Sequence, residues 1–121
     1  MQSRDSKTYS PGRKRASFVR DVYKLTGGRS FAHDLPLRTQ LRKCAVSIPS
    51  NIAEGFERWS RAELKRFLLI ARGSCAELRT QIYIATDIGY IADATGTATR
   101  EQAEEVSRLI GLFHASLRRK K

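Results

Sequence analysis

Residues 41–90 hold two apolar stripes at helical spacing, separated by a turn that carries its own capping residues, and this pairing limits the fold more than any other feature of the chain. On the first stripe Leu37, Leu41, Cys44 or Ala45, Ile48, Ile52 and Phe56 recur every three or four residues, from a capping Asp34 to about Arg58. The second begins with Ser60 and Glu63, spaced as a capping box in which the serine oxygen and the glutamate side chain each satisfy an orphan amide. It continues through Leu64, Phe67, Leu68, Ala71, Cys75, Leu78, Ile82 and Ala85. Two such faces bury each other as an antiparallel hairpin turning near Trp59, where positions whose numbers sum to about 118–120 come level. Leu37 is then expected opposite Ile82, Leu41 opposite Leu78, Cys44 opposite Cys75, Ile52 opposite Phe67 or Leu68, and Phe56 opposite Leu64. Arg42 and Glu77 also come level, which predicts an ion pair across the hairpin. Pro49 interrupts the first stripe by removing a backbone donor; a kink is expected near 45–49, with Ser47 and Ser50 serving the freed carbonyl.

Two further amphipathic segments flank the hairpin. Residues 13–26 place Phe18, Val19, Val22, Tyr23 and Leu25 on one face, and Gly27 with Gly28 stops the run. Gly89 and the polar residues 92–99 end the third segment, and Thr99 with Gln102 forms a second candidate capping box ahead of Val106, Leu109, Ile110, Phe113 and Leu117. Four amphipathic helices with short connections predict an all-α fold, an antiparallel up-down-up-down four-helix bundle. One domain over residues 1–121 is expected, with flexible ends at about 1–12 and 118–121.

Little in the composition points to chemistry. Cys44 and Cys75 match no zinc or thioredoxin spacing and are expected as buried thiols, while His33 and His114 lie far apart with no ligand-spaced partner. No metal or cofactor is expected. The chain has no Gly-rich phosphate loop, no paired carboxylates at active-site spacing and no nucleophile beside a base, so a non-enzymatic protein is predicted. No apolar run approaches the roughly 20 residues of a bilayer span, and the first residues lack the apolar stretch of a secretion signal, which predicts a cytoplasmic protein.

The charge is informative: 23 Lys and Arg against 12 Asp and Glu give a net +11. Residues 1–33 carry eight of the cations against two acids, and Arg118, Arg119, Lys120 and Lys121 add four more. In the predicted topology the start of the first helix, the turn between the second and third, and the end of the fourth share one end of the bundle. That end collects Arg13, Lys14, Arg15, Arg58, Arg61, Lys65, Arg118, Arg119, Lys120 and Lys121, opposed by Glu57 and Glu63. A one-ended positive field suits contact with RNA or DNA phosphate. Trp59 and Tyr9 are candidates for stacking on unpaired bases; the competing reading of Trp59 is a turn aromatic that caps the core.

The string Val46-Ser47-Ile48-Pro49-Ser50-Asn51-Ile52-Ala53-Glu54-Gly55-Phe56, followed by Ser60, Glu63, Phe67, Leu68, Ala71, Gly73-Ser74 and Ala76-Glu77-Leu78, resembles the 23S rRNA intervening-sequence protein family over roughly residues 17–92. The resemblance implies a small four-helix bundle. Family members are similar to the accessory protein of diversity-generating retroelements, a pentameric barrel of such bundles that works with a reverse transcriptase and nucleic acid, which implies a homo-oligomer and a ring of five. Within the string, Gly55 costs about 1 kcal/mol relative to alanine inside a helix, and so marks either a close helix or subunit approach, with Asn51 and Glu54 as its polar contacts, or simple fraying beside a solvated Glu54. Ile70, Tyr83, Ile84 and Leu112 lie off the main stripes and are expected at subunit or helix contacts. The leading reading is an oligomeric bundle that binds RNA or DNA through its basic end. The alternative is a homo-oligomeric scaffold for a protein partner, and membrane binding through the first helix ranks last.

Overall fold

The computed structural model describes the backbone of residues 11–117 and the side chains of residues 17–117. Five helices follow one another: α1 (Pro11–Leu25), α2 (Arg29–Ala32), α3 (Leu35–Glu57), α4 (Arg61–Asp87) and α5 (Asp93–Leu117), with no strand among the described residues. The fold is an all-α bundle of four long helices and one short one.

Local chemistry sets the ends of the central hairpin. Asp34 Oδ1 accepts from the Leu37 amide at 3.1 Å, and Ser60 Oγ accepts from the Glu63 amide at 3.2 Å, so both caps expected from the sequence are made. The Glu63 carboxylate turns outward to Arg66 instead of closing the box. Helix α4 ends in a Schellman motif at Gly89, whose φ of +89° suits a residue without a Cβ; the Gly89 amide reaches Thr86 O at 3.0 Å and the Tyr90 amide reaches Ala85 O at 2.8 Å. Helix α3 runs unbroken through Pro49, with Ser47 Oγ donating to Cys44 O at 2.8 Å.

The core joins Phe18 and Val22 of α1, Leu41, Ala45, Ile48 and Ile52 of α3, Leu68, Ala71, Leu78 and Ile82 of α4, and Ala103, Val106 and Ile110 of α5. Helices α3 and α4 are antiparallel, since Ser47 meets Ser74 through a 2.6 Å hydrogen bond while Gly55 meets Leu64 and Phe67 near the turn. Helices α4 and α5 are antiparallel too, with Thr86 against Gly96 and Arg72 against Gly111.

Four expectations need correction. Helix α5 starts at Asp93, not at Thr99; Thr99 is buried in mid-helix with its hydroxyl on Thr95 O at 2.8 Å, because Gly96 and Thr99 pack inward and tertiary contact overrides weak propensity. The four-residue α2 was not anticipated; it exists because Phe31 is buried and meets the Tyr90 ring edge-to-face at 5.3 Å. Arg42 does not pair with Glu77. It turns to α1, where Nε donates to Thr26 Oγ1 at 2.8 Å, Nη2 donates to Tyr23 O at 3.2 Å, and the guanidinium lies 4.4 Å from the Tyr23 ring centre. Phe56 stacks on Phe113 of α5 at 5.8 Å, and Gly55 takes the place facing Leu64.

Candidate nucleic-acid interface

The turn between α3 and α4 is built from three residues with different tasks. The Arg58 amide closes α3 onto Gly55 O at 3.3 Å, Trp59 adopts a left-handed φ of +56°, and Ser60 is extended and caps α4. A left-handed backbone costs a side-chain-bearing residue roughly 1–2 kcal/mol, so Trp59 occupies a position that glycine or asparagine fills more cheaply. Trp59 is 93% exposed, so it does not cap the core. Leu64, Phe113 and Leu117 pack against the core at that end, and the exposed Phe56 stacks on Phe113. Gly55, Phe56, Trp59, Ser60, Arg61, Leu64 and Leu117 line a shallow hollow of about 200 Å³ at the foot of the indole.

The cations around this turn divide into two sets. Arg58 Nε donates to Glu54 Oε2 at 3.0 Å, and its Nη1 lies 3.8 Å from Glu63 Oε1. Arg66 donates to both oxygens of Glu63, at 3.1 and 3.3 Å. Both guanidinium groups lie over the Phe67 ring, at 5.0 and 4.6 Å from its centre. The Arg66 hydrogen bond, aided by the charges of Arg66 and Arg58, holds the Glu63 carboxyl below its ordinary range. Arg58 and Arg66 are therefore committed to glutamates. Arg61 and Lys65, one turn apart on the same face of α4, have no ion pair or hydrogen bond among the described residues and stand available.

Of the remaining predicted cations, Arg13, Lys14 and Arg15 belong to the backbone of α1 with side chains outside the described set, and Arg118, Arg119, Lys120 and Lys121 lie outside the described residues. Leu117 lines the hollow beside Trp59 and Arg61, so the chain leaves the described part at this turn and continues with four consecutive cations. Residues 17–117 hold 14 Lys and Arg against 11 Asp and Glu. Most of the net +11 thus rests on residues 1–16 and 118–121.

The predicted contact residues scatter. Asn51 Nδ2 donates to Ser47 O within α3 at 2.8 Å, and Glu54 holds Arg58. Gly55 is buried at a close approach of α3 and α4: a Cβ there would lie 3.0 Å from both Leu64 Cδ1 and Phe67 Cβ. Ile70, Tyr83, Ile84 and Leu112 are exposed, and Arg100 lies 5.4 Å over the Tyr83 ring. Leu69 and Ile88 of the same outer surface are exposed as well and were missed; their positions beside Ile70 and Ile84, off the core stripe, were the available signal. Among the described residues no group of His, Cys, Asp or Glu is arranged to hold a metal ion, and no helix is long and apolar enough to cross a membrane.

Residues 12–111 match the family described as 23S rRNA-intervening sequence protein. Among solved structures, the chain is similar to the crystal structure of a protein of unknown function from the S23 ribosomal protein family of Bacteroides thetaiotaomicron VPI-5482, with 20% identity, a TM-score of 0.76, and coverage of 84% of this chain and 94% of that one. At that identity the likeness speaks for the fold. No curated protein matches the chain.

Proposed function

Because the chain belongs to the 23S rRNA-intervening sequence protein family, whose structural neighbour is itself of unknown function, we propose a function from the site: a non-enzymatic, oligomeric helical bundle that binds RNA or DNA phosphate through its basic end. One observation carries this reading. The α3–α4 turn presents Arg61 and Lys65 without partners among the described residues, and four consecutive cations follow Leu117, which lines the hollow at this turn. Positive charge gathered at one end draws a polyanion and releases its counterions, the main source of non-specific nucleic-acid affinity.

The test is a titration of nuclease-treated protein into labelled single-stranded RNA and duplex DNA, read by anisotropy across a salt series. Each phosphate contact steepens the log–log salt slope by about 0.7 for a single strand and 0.9 for a duplex. Replacing Arg61 and Lys65 by alanine should weaken binding and flatten that slope. Unchanged affinity and slope would remove this turn from the contact surface.

A second reading rests on a separate observation, the exposed Ile70, Tyr83, Ile84 and Leu112. Apolar side chains spread along α4 and α5 favour self-association, as a scaffold for a protein partner or as the oligomer that binds nucleic acid. Light scattering on the eluting protein distinguishes a 13.7 kDa monomer from a species near five times that mass. An oligomer that binds no nucleic acid would favour the scaffold.

A further inference from the structure

Trp59 is the chain's one tryptophan, and core packing does not account for it. The indole is almost wholly in water, on a left-handed backbone that a bulky residue adopts at a cost, at the tip of a turn whose neighbours already close the core without it. A large apolar ring held out in this way contributes nothing to folding. Its surroundings are those of a ligand surface: Arg61 and Lys65, on the adjoining face of α4, have no partner among the described residues, and Phe56, Leu64 and Leu117 floor the hollow beneath it. Glu54 and Glu63 do not cancel this charge, since they are held by Arg58 and Arg66; Glu57 is the carboxylate left beside the turn.

The shape of this surface selects among nucleic acids. A duplex keeps its bases stacked inside and offers an indole only backbone and groove edges, whereas an unpaired base offers its whole π face. An exposed aromatic flanked by free cations therefore fits a strand, with the ring against a base and the cations on neighbouring phosphates. We infer that the α3–α4 turn is a single-strand-binding element in which Trp59 stacks on an unpaired base while Arg61 and Lys65 hold the adjoining phosphates. This rests on the nucleic-acid reading above and narrows it to single strands, whether RNA or DNA, because both present the same base faces and phosphates.

The lone tryptophan makes the test direct, as all indole emission comes from the site. The full chain is titrated with unlabelled oligo(U), oligo(dT) and a blunt duplex of equal length, following Trp59 emission alongside anisotropy of labelled copies. The expected result is quenching by the single strands and weaker or no quenching by the duplex, with the two single strands ranked by the ratio of their affinities. Trp59→Ala should weaken single-strand binding about 5- to 150-fold at unchanged salt slope, since stacking releases no counterions, and Trp59→Phe should lie between. Arg61→Ala with Lys65→Ala should instead flatten the slope by about 1.4. Single-strand binding that neither quenches the indole nor responds to Trp59→Ala overturns the element and leaves nucleic-acid binding intact, as does binding confined to the duplex. Failure of every polymer to bind overturns both. A blue shift of emission with phosphatidylserine vesicles and none with oligonucleotides would assign the tryptophan to a membrane surface and overturn it too.

Discussion

Gly96 is the position where this fold leaves least room. It faces Thr86 across the α4–α5 interface, and a methyl group added there would run into the Thr86 hydroxyl, with Thr86 Cβ and Cγ2 each only 3.2 Å away. Thr86 cannot yield easily: it is β-branched, and its Oγ1 donates to Ile82 O at 2.8 Å. Two effects oppose each other in Gly96→Ala. Helix propensity favours alanine by about 1 kcal/mol, while overpacking of a tight contact costs about 1–3 kcal/mol. The obstacle is the whole Thr86 side chain and not a flexible tip, so the upper half of that range applies and the net loss should be about 1–2 kcal/mol. Thr86→Ala removes Oγ1 and Cγ2 and leaves only the Cβ in the way. In that background Gly96→Ala should become neutral or stabilising by up to about 1 kcal/mol, a coupling of roughly 2 kcal/mol in a double-mutant cycle. Urea unfolding followed by circular dichroism at fixed protein concentration measures the parent and its three variants. A Gly96→Ala protein as stable as its parent, or one with the same change in both backgrounds, would falsify the packing argument.

Three further substitutions test separate parts of the structure. Arg42→Ala should cost about 1.5–3 kcal/mol, the worth of hydrogen bonds from a charged donor, and speed amide exchange at residues 22–26 before the core of α4; uniform acceleration along the chain would deny Arg42 its role as the anchor of α1. Burial, then the nearby Glu77 carboxylate, pushes the Cys44 thiol up to about 11 from 9.0, so the folded state favours the protonated thiol. Its contribution is complete below about 9 and is lost as pH rises toward 11; Cys44→Ala should flatten the fall in stability over that window, and parallel curves for the two proteins would refute the assignment. The Glu63 carboxyl, held low chiefly by Arg66, contributes above its ordinary 4.5 and loses that contribution as pH falls through its depressed folded value. Glu63→Gln should abolish that acid loss and release Arg66, while Arg58 stays on Glu54, so the salt slope of nucleic-acid binding should steepen; an unchanged slope would mean that Arg66 does not reach the polymer.

The hairpin was legible because both of its signals are local. Helical periodicity and a side chain capping an amide three residues on need no knowledge of the rest of the chain, which is why Asp34 and Ser60 cap the helices they were expected to cap. What failed was non-local. The run from Asp93 through Thr99 contains three threonines and a glycine, poor helix formers that read as a loop with a cap at its end. It is helical because Gly96 and Thr99 face the core, and nothing within the run says so. Phe31 shapes α2 through Tyr90, 59 residues away, and Arg42 prefers α1, a partner that two-helix arithmetic leaves out. The register was nearly right: Ser47 meets Ser74, a sum of 121, and that small offset puts Gly55 in place of Phe56 at the crossing. At the turn, the sequence supplied the cations and the opposing Glu63 but not the Glu54–Arg58 and Glu63–Arg66 pairings, and left the exposure of Trp59 undecided.

The distribution of charge, and not its total, decides how the protein should meet a polyanion. Glu54, Glu63 and Glu105 are each held by an arginine three or four residues further along the same helix, so much of the bundle neutralises itself turn by turn. Arg38 and Arg58 stand 20 residues apart on α3 and at its end, roughly 30 Å at the helical rise of 1.5 Å per residue. The screening length at physiological salt is about 8 Å, so cations at the Arg38 end add little to the field at the α3–α4 turn. Two variants with the same net charge separate the possibilities. Alanine at Arg118, Arg119, Lys120 and Lys121 should lower affinity and reduce the salt slope by as much as about 2.8, while alanine at Lys24, Arg29, Arg38 and Arg79 should leave the slope nearly unchanged. Equal losses from both quartets would mean that the polymer responds to net charge alone and that the protein has no basic end.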